Sequence, residues 1–181
     1  MITNGVKVDN IKVYNKDGGN KTGSKRDYIV LLDNLRSSYN VGNIIRVVEA
    51  FGFREICFTG ITACPPHKKI MKTAMGAENH IEFRYFRESA DGVMYYKKRA
   101  YPIISLERTN RSIKLMEFPF KSKGCIVLGN ESLGINTRIL DLSDAILEIP
   151  MYGFKNSINV SNAFSMLAYE IVRREKTDKR F

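Results

Sequence analysis

The sequence has few of the side chains that build metal or thiol sites. Its three cysteines, Cys57, Cys64 and Cys125, are odd in number and match no zinc-binding or redox spacing. Cys57 and Cys125 lie inside apolar runs, where a cysteine acts as a small buried hydrophobic residue. The two histidines, His67 and His80, belong to no cluster of ligands. The composition therefore predicts neither a metal site nor a disulfide.

Long apolar segments and the common nucleotide signatures are also missing. No apolar run approaches the ~20 residues that cross a bilayer. Residues 1–5 lack the charged and then apolar order of a signal peptide. Neither G-x-G-x-x-G nor a P-loop occurs, so a dinucleotide or nucleoside triphosphate site of the usual kind has no support. These absences predict a cytoplasmic protein with no membrane association.

Acidic residues are scarce relative to basic ones. Across 181 residues, 29 Lys and Arg stand against 19 Asp and Glu, which gives a formal net charge of +10. Such an excess attracts polyanions, and nucleic acid is the partner that it favours. Charge that merely keeps a protein soluble is the competing explanation. The length favours a single domain that is large enough to bury a core without disulfides or metals.

Apolar runs and helical patterns alternate along most of the chain. Runs typical of buried strands alternate with apolar residues at the helical period, and residues 81–86 show the alternation of an edge strand. The predicted strands cover 28–32, 56–58, 81–86, 101–106, 125–128 and 145–149, and the predicted helices cover 41–51, 88–99, 137–142 and 160–172. This order predicts an α/β fold with a mostly parallel sheet and helices on both faces.

The first 27 residues differ from the rest. Residues 15–27 contain no apolar side chain and three glycines, a composition that is typical of a flexible connector. We therefore expect residues 1–27 to be a flexible N-terminal arm and linker, and residues 28–181 to be the folded domain.

The first candidate motif opens a predicted helix. Asn40 stands where the apolar pattern begins and suits an N-cap. Gly42 and Arg46 are four residues apart, so they lie on one face, away from the apolar stripe. A glycine there costs about 1 kcal/mol of helix stability and leaves room for a ligand or another backbone. The alternative is purely structural: Asn40 caps the helix, Gly42 allows close packing, and Arg46 forms an ion pair with Glu49.

Three more motifs lie in the last third of the chain, two of them at the ends of predicted strands. In a parallel sheet, ligands bind beyond the carboxyl ends of the strands. Glycines and a proline at such ends allow close backbone approach and stop strand pairing. Routine turns, strand ends and helix caps remain the structural alternative. The motifs are Gly129-x-Glu131-x-x-Gly134, Ile149-Pro150-Met151 and Ser157-Ile158-Asn159-Val160-Ser161.

Together and in this order, the four motifs resemble those of the SpoU/TrmH branch of the SPOUT methyltransferases. The resemblance runs from about residue 28 to about residue 174. Members of that branch transfer a methyl group from S-adenosylmethionine to a ribose 2′-hydroxyl of RNA. The resemblance therefore implies a methyltransferase domain with a C-terminal trefoil knot, which the periodicity does not reveal. It also implies tRNA or rRNA as partner.

The resemblance assigns two sets of site residues. The catalytic set is Arg46, Asn40, Glu131, Ser157 and Asn159. The cofactor-binding set is Leu106, Gly129, Ile149, Met151 and Ile158, the last at a position where the family most often has leucine. A guanidinium rarely yields its proton. Arg46 is therefore expected to bind a phosphate and stabilise the developing alkoxide, although the family's mechanism is usually drawn with this arginine as the base.

A homodimer is also expected. The last helix carries apolar residues outside its main stripe, at Met166 and Tyr169, and the first helix does so at Val47. A helix on one side of a sheet needs only one stripe, and in the family these two helices pack against their two-fold mates. A catalytically inactive basic RNA-binding module with the same fold is the main alternative. An α/β enzyme acting on a small molecule would leave the charge unexplained.

Overall fold

The computed structural model describes residues 25–178 and contains a seven-stranded sheet whose strands are all parallel. The strand order is β3-β2-β1-β6-β4-β7-β5. The strands are β1 (Arg26–Asp33), β2 (Phe53–Thr59), β3 (Glu82–Phe86), β4 (Ile103–Leu106), β5 (Ile113–Lys114), β6 (Lys123–Leu128) and β7 (Ala145–Glu148). The helices are α1 (Ser38–Ala50), α2 (Lys68–Ala74), α3 (Ser89–Lys97), α4 (Thr137–Leu142) and α5 (Val160–Asp178).

Helices cover both faces of the sheet, and alternate residues of each central strand therefore enter different cores. In β1, Val30 and Leu32 face α1, α2 and α5, whereas Ile29 and Leu31 face α3 and α4. All six residues from Tyr28 to Asp33 are buried, which explains why the strand appears in the sequence as a continuous apolar run. The predicted α/β architecture is confirmed.

Two elements escaped the sequence prediction. Helix α2 is only seven residues long and contains three lysines. It buries only Ile70 and Ala74, which are too few to give a recognisable helical pattern. Strand β5 has two exposed residues and no apolar pattern. Strand β3 lies at one edge of the sheet, as its alternation predicted. Among residues 25–178, no helix is long and apolar enough to cross a membrane.

The predicted arm lies almost entirely outside the described residues, so its flexibility stays a prediction. Strand β1 begins at Arg26, two residues before the predicted boundary. The polar side chain of Arg26 is fixed by hydrogen bonds. Its guanidinium donates to the Phe51 carbonyl oxygen at 2.6 Å and to Glu175 at 2.7 Å. Asp27 pairs with Lys123 across the sheet. Backbone pairing and these polar contacts extend the strand beyond its apolar part.

Gly42 is the point at which α1 and α2 cross. A Cβ atom on this residue would lie 1.9 Å from Thr73 Oγ1 and 2.6 Å from the Ile70 carbonyl oxygen. Gly42 is buried, and Thr73 Oγ1 donates to the Tyr39 carbonyl oxygen at 3.2 Å. The glycine therefore makes room for the backbone of α2, one of the two uses that the sequence left open.

We predict that Gly42→Ala destabilises the protein, although alanine is the better helix former by about 1 kcal/mol. The methyl group must push α2 away, and overpacking of this kind costs about 1–3 kcal/mol. Urea unfolding followed by circular dichroism measures the change. The matched control is Gly153→Ala, because no atom lies within 4 Å of the added carbon. A Gly42→Ala protein as stable as the wild type would contradict this helix crossing.

Candidate active site

A cleft of about 580 Å³ opens at the carboxyl ends of β4, β6 and β7. Its walls come from residues 106–109, 128–135, 147–149 and 156–160, together with Leu140, Met151 and Ala163. The volume lies in the range of small-molecule sites. The five residues expected to bind the cofactor all line this cleft: Leu106, Gly129, Ile149, Met151 and Ile158.

The turn after β6 forms the floor of the cleft and is fixed by its own hydrogen bonds. The backbones of Asn130 and Gly134 exchange two hydrogen bonds, of 3.2 and 2.9 Å. Gly134 has a φ of 70°, which favours glycine. Gly129 serves a different purpose, because a Cβ atom there would lie 2.5 Å from the Gly134 carbonyl carbon. The two glycines thus allow this turn to close on itself.

The Glu131 carboxylate connects this turn to the segment between β1 and α1. It accepts hydrogen bonds from the backbone amides of Arg36 and Ser37 and from Asn40 Nδ2, each at 3.0 Å. Partial burial raises the pKa of Glu131, but the hydrogen bonds from the Arg36 amide and Asn40 outweigh it and hold this pKa below its ordinary value of 4.5. Glu131 therefore anchors loop amides rather than Arg46.

Asn40 has a different position from the predicted one. Ser37 is the N-cap of α1, and its hydroxyl accepts from the Asn40 amide at 3.3 Å. The Asn40 side chain is therefore available for bridging. Its Oδ1 accepts from Asn159 Nδ2 at 3.0 Å, and Asn159 Oδ1 accepts from the Ser161 amide at the start of α5. Asn159 thus combines a helix cap with a contact to the site.

Arg46 lies apart from the other catalytic candidates. Glu131, Ser157 and Asn159 line the cleft and Asn40 is bonded to two of them, whereas Arg46 does not line it. Arg46 is exposed on α1, and its Nη1 contacts Met75 Sδ at 3.1 Å. The structure therefore brings four of the five candidates together within one chain. The alternative pairing of Arg46 with Glu49 is not among the ion pairs of residues 25–178.

Two acidic residues of the site were not predicted. Glu107 lines the cleft, and its Oε2 accepts from the Ile135 amide at 3.1 Å. The buried Asp33 accepts from the Ser89 hydroxyl and from the Asn136 amide, which holds the other end of the same turn. Both acids come at or directly after the ends of predicted strands, so their position in the sequence was a usable signal. Among residues 25–178, no group of His, Cys, Asp or Glu is arranged to hold a metal ion.

Comparison with known proteins places this arrangement in a family. The SpoU rRNA Methylase family matches residues 27–169. The chain belongs to this family. A tRNA (guanosine(18)-2′-O)-methyltransferase of Escherichia coli K12 is 26% identical over 150 residues, which cover 83% of this chain and 65% of that protein. The Aquifex aeolicus enzyme of the same name is 26% identical over 156 residues, covering 84% of this chain and 72% of that protein. The chain thus spans about two thirds of the E. coli relative.

Solved structures of the family share the fold. The TrmH/SpoU tRNA modifying enzyme of A. aeolicus superposes with a TM-score of 0.77 at 24% identity, covering 86% of this chain and 78% of that chain. The SpoU methyltransferase AviRb from Streptomyces viridochromogenes, solved in complex with AdoMet, gives 0.77 at 23% identity, covering 85% and 63%. The parallel sheet flanked by helices is therefore the SpoU fold.

We predict that Glu131→Gln loosens the segment before α1, because one acceptor oxygen becomes an amide donor that faces other donors. The Arg36 and Ser37 amides should lose roughly tenfold in hydrogen-exchange protection, a modest effect because the carboxylate is solvent accessible. In the wild type, protection is complete above the ordinary pKa of Glu131 and is lost as pH falls through its lowered value. Glu49→Gln, on the exposed side of α1, is the control. Unchanged protection in Glu131→Gln would exclude the anchoring role.

Proposed function

We propose that this chain is an S-adenosylmethionine-dependent methyltransferase that acts on a ribose 2′-hydroxyl of tRNA or rRNA. Membership of the SpoU family and the two tRNA 2′-O-methyltransferase relatives support the reaction. The observation that carries the proposal is the cleft, since eight of the ten residues assigned from the resemblance line it. An inactive RNA-binding module would not need these residues to converge.

The cleft fits S-adenosylmethionine in size and in chemistry. Leu106, Ile149 and Met151 supply apolar walls, and the backbone at the ends of β4 and β7 offers amides and carbonyl oxygens for an adenine edge. The Glu107 carboxylate is the acidic group beside Leu106 and suits hydroxyl or ammonium donors. When bound, the sulfonium of the cofactor supplies an electrophilic methyl group.

The chain's own residues would position the RNA hydroxyl. Arg46 is a donor that stays charged, so it binds a phosphate next to the reactive ribose and stabilises the negative charge that develops on the oxygen. Asn40, Glu131 and Asn159 hold the start of α1 against the start of α5. Ser157 lies exposed at the mouth of the cleft, where its hydroxyl can contact the ribose. Alignment of this kind supplies ~7–11 kcal/mol in favourable cases.

A homodimer would complete the site. Arg46 does not line its own cleft, and exposed apolar residues on α5, Met166 and Tyr169, provide a surface for a second copy. In such a dimer Arg46 serves the cleft of the partner.

The C-terminal knot belongs to the same proposal. It is supported by residues 147–149 and 156–160, which line the same cleft as the turns after β4 and β6. A cytoplasmic location follows from the RNA substrate.

We predict that Arg46→Ala abolishes methyl transfer while S-adenosylmethionine affinity remains close to that of the wild type. Arg46→Lys should also be strongly impaired, because lysine cannot form the forked contact with a phosphate. Total RNA from cells that lack the gene is the substrate, and mass spectrometry of its nucleosides detects ribose methylation. Isothermal titration with S-adenosylmethionine measures the affinity.

Gly129→Val is expected to differ from Arg46→Ala in its affinity for S-adenosylmethionine. Its side chain meets the backbone of Gly134 and Ile135, so cofactor affinity should fall and methyl transfer with it. Near wild-type turnover in Arg46→Ala would remove Arg46 from the mechanism. A wild-type protein that binds no S-adenosylmethionine would overturn the proposed function.

We predict that sedimentation equilibrium at micromolar concentration gives twice the chain mass. Tyr169→Glu should shift the equilibrium towards the monomer, since Tyr169 is 61% exposed on α5. The control is Met94→Glu on α3, which lies on the opposite face of the sheet and is 38% exposed. A wild-type species of single-chain mass at all concentrations would reject both the dimer and the shared site.

A further inference from the structure

Helix α2 presents a face on which lysine and methionine alternate. Lys68, Met71 and Lys72 lie on one side of α2 because they are three and four residues apart, and Met75 follows as the residue that ends the helix, with a φ of 55°. All four are exposed, Met71 to 48% and Met75 to 62%. We call these four residues the lysine–methionine face. The two methionines give this face a polarisable apolar surface beside its positive charges, a combination that suits a ligand with both aromatic rings and negative charge.

The lysines of this face are not used inside the protein. Within residues 25–178, no carboxylate, carbonyl oxygen or aromatic ring binds the ammonium group of Lys68, Lys69 or Lys72. Helix α2 also contains no acidic residue. Its three positive charges therefore stand together without local neutralisation, and they attract a polyanion more strongly than paired charges would.

Basic residues at the ends of α3 and on α5 have internal partners. On α3, Lys97 binds Asp144 at 3.2 Å and the Leu142 carbonyl oxygen, and the Arg99 guanidinium lies 3.5 Å from the centre of the Tyr95 ring. On α5, both Arg173 and Arg174 bind Glu170. Within the part of the chain that the structure describes, the lysines of α2 therefore differ from these residues in having no such internal partner.

The lysine–methionine face leads directly to Arg46. Its last member, Met75, contacts the Arg46 guanidinium through its sulfur atom at 3.1 Å. The absence of a side chain at Gly42 brings the two helices close enough for this contact. A strand of nucleic acid lying along α2 would therefore reach Arg46 at the end of the helix. Neighbouring lysines four residues apart are separated by about 6 Å along the helix.

We propose that the lysine–methionine face of α2 is the surface that binds the RNA substrate and guides its ribose to Arg46. This inference rests on the proposed function and adds the path of the RNA to it. Lys68 and Lys72 bind successive phosphates, and Lys69 adds to the positive electrostatic potential around the two lysines. The polarisable side chains of Met71 and Met75 lie against bases, since thioethers make favourable contacts with aromatic rings.

The test compares two double variants that lose the same charge. Lys68→Gln/Lys72→Gln removes the lysines of the face, and Lys98→Gln/Lys121→Gln removes two exposed lysines elsewhere. Filter binding measures the Kd for the small-RNA fraction of cells that lack the gene, at several salt concentrations. The first variant should lower the slope of log Kd against log salt by roughly 1.4, about 0.7 for each phosphate, and raise Kd roughly tenfold near physiological salt. The control should match the wild type.

Met71→Ser separates the apolar contribution from the charge. It should raise Kd and leave the salt slope unchanged, while thermal unfolding confirms that each variant is folded. Equal effects of the two double variants, or none from the first, would overturn the inference. So would a loss of chain association in Lys68→Gln/Lys72→Gln by sedimentation, since a second copy would then occupy the face. A wild type that methylates no RNA contradicts the proposed function, and the binding comparison still decides the role of α2.

Discussion

The carboxylate of Glu131 is the contact on which the geometry of the cleft depends. The turn after β6 and the segment before α1 belong to adjacent strands, but strand pairing alone does not fix the loops beyond the strand ends. Glu131 fixes them by accepting from two consecutive backbone amides and from Asn40. Such charge-assisted bonds are stronger than neutral ones. Because Asn40 in turn binds Asn159, the residue that precedes α5 is linked to the same carboxylate.

The sequence predicted well those parts that depend on local pattern. Strand β1 is buried on both faces and appears as an uninterrupted apolar run, and α5 shows the helical period clearly. The short helix α2 could not be predicted, because only Ile70 and Ala74 are buried and the rest of its surface is polar or charged. Its close packing against α1 depends on Gly42, a residue of another helix. Contacts between elements distant in sequence leave no periodic trace.

For the site residues too, the sequence predicted which residues matter better than it predicted their contacts. Motif spacing and resemblance selected residues that do line one cleft, but they gave no partners for them. Asn40 was expected to cap its helix, yet Ser37 caps it and leaves the asparagine side chain for the site. An ion pair with Glu49 was one explanation that the sequence left open for Arg46, which instead contacts Met75. Capping and side-chain pairing depend on rotamers and on small shifts of helix ends, which single positions in a sequence do not determine.

The hydrogen bond between Asn40 and Asn159 joins residues that are 119 positions apart in the chain. During synthesis, β1, β2 and α1 leave the ribosome long before the start of α5, so the loop before α1 has no Asn159 to bind until translation is nearly complete. Contacts of this separation also slow folding, because the chain must close a long loop before it gains their energy. The nascent protein therefore acquires its cleft only at the end of translation, and a chain that stops before α5 has its early strands but no assembled site.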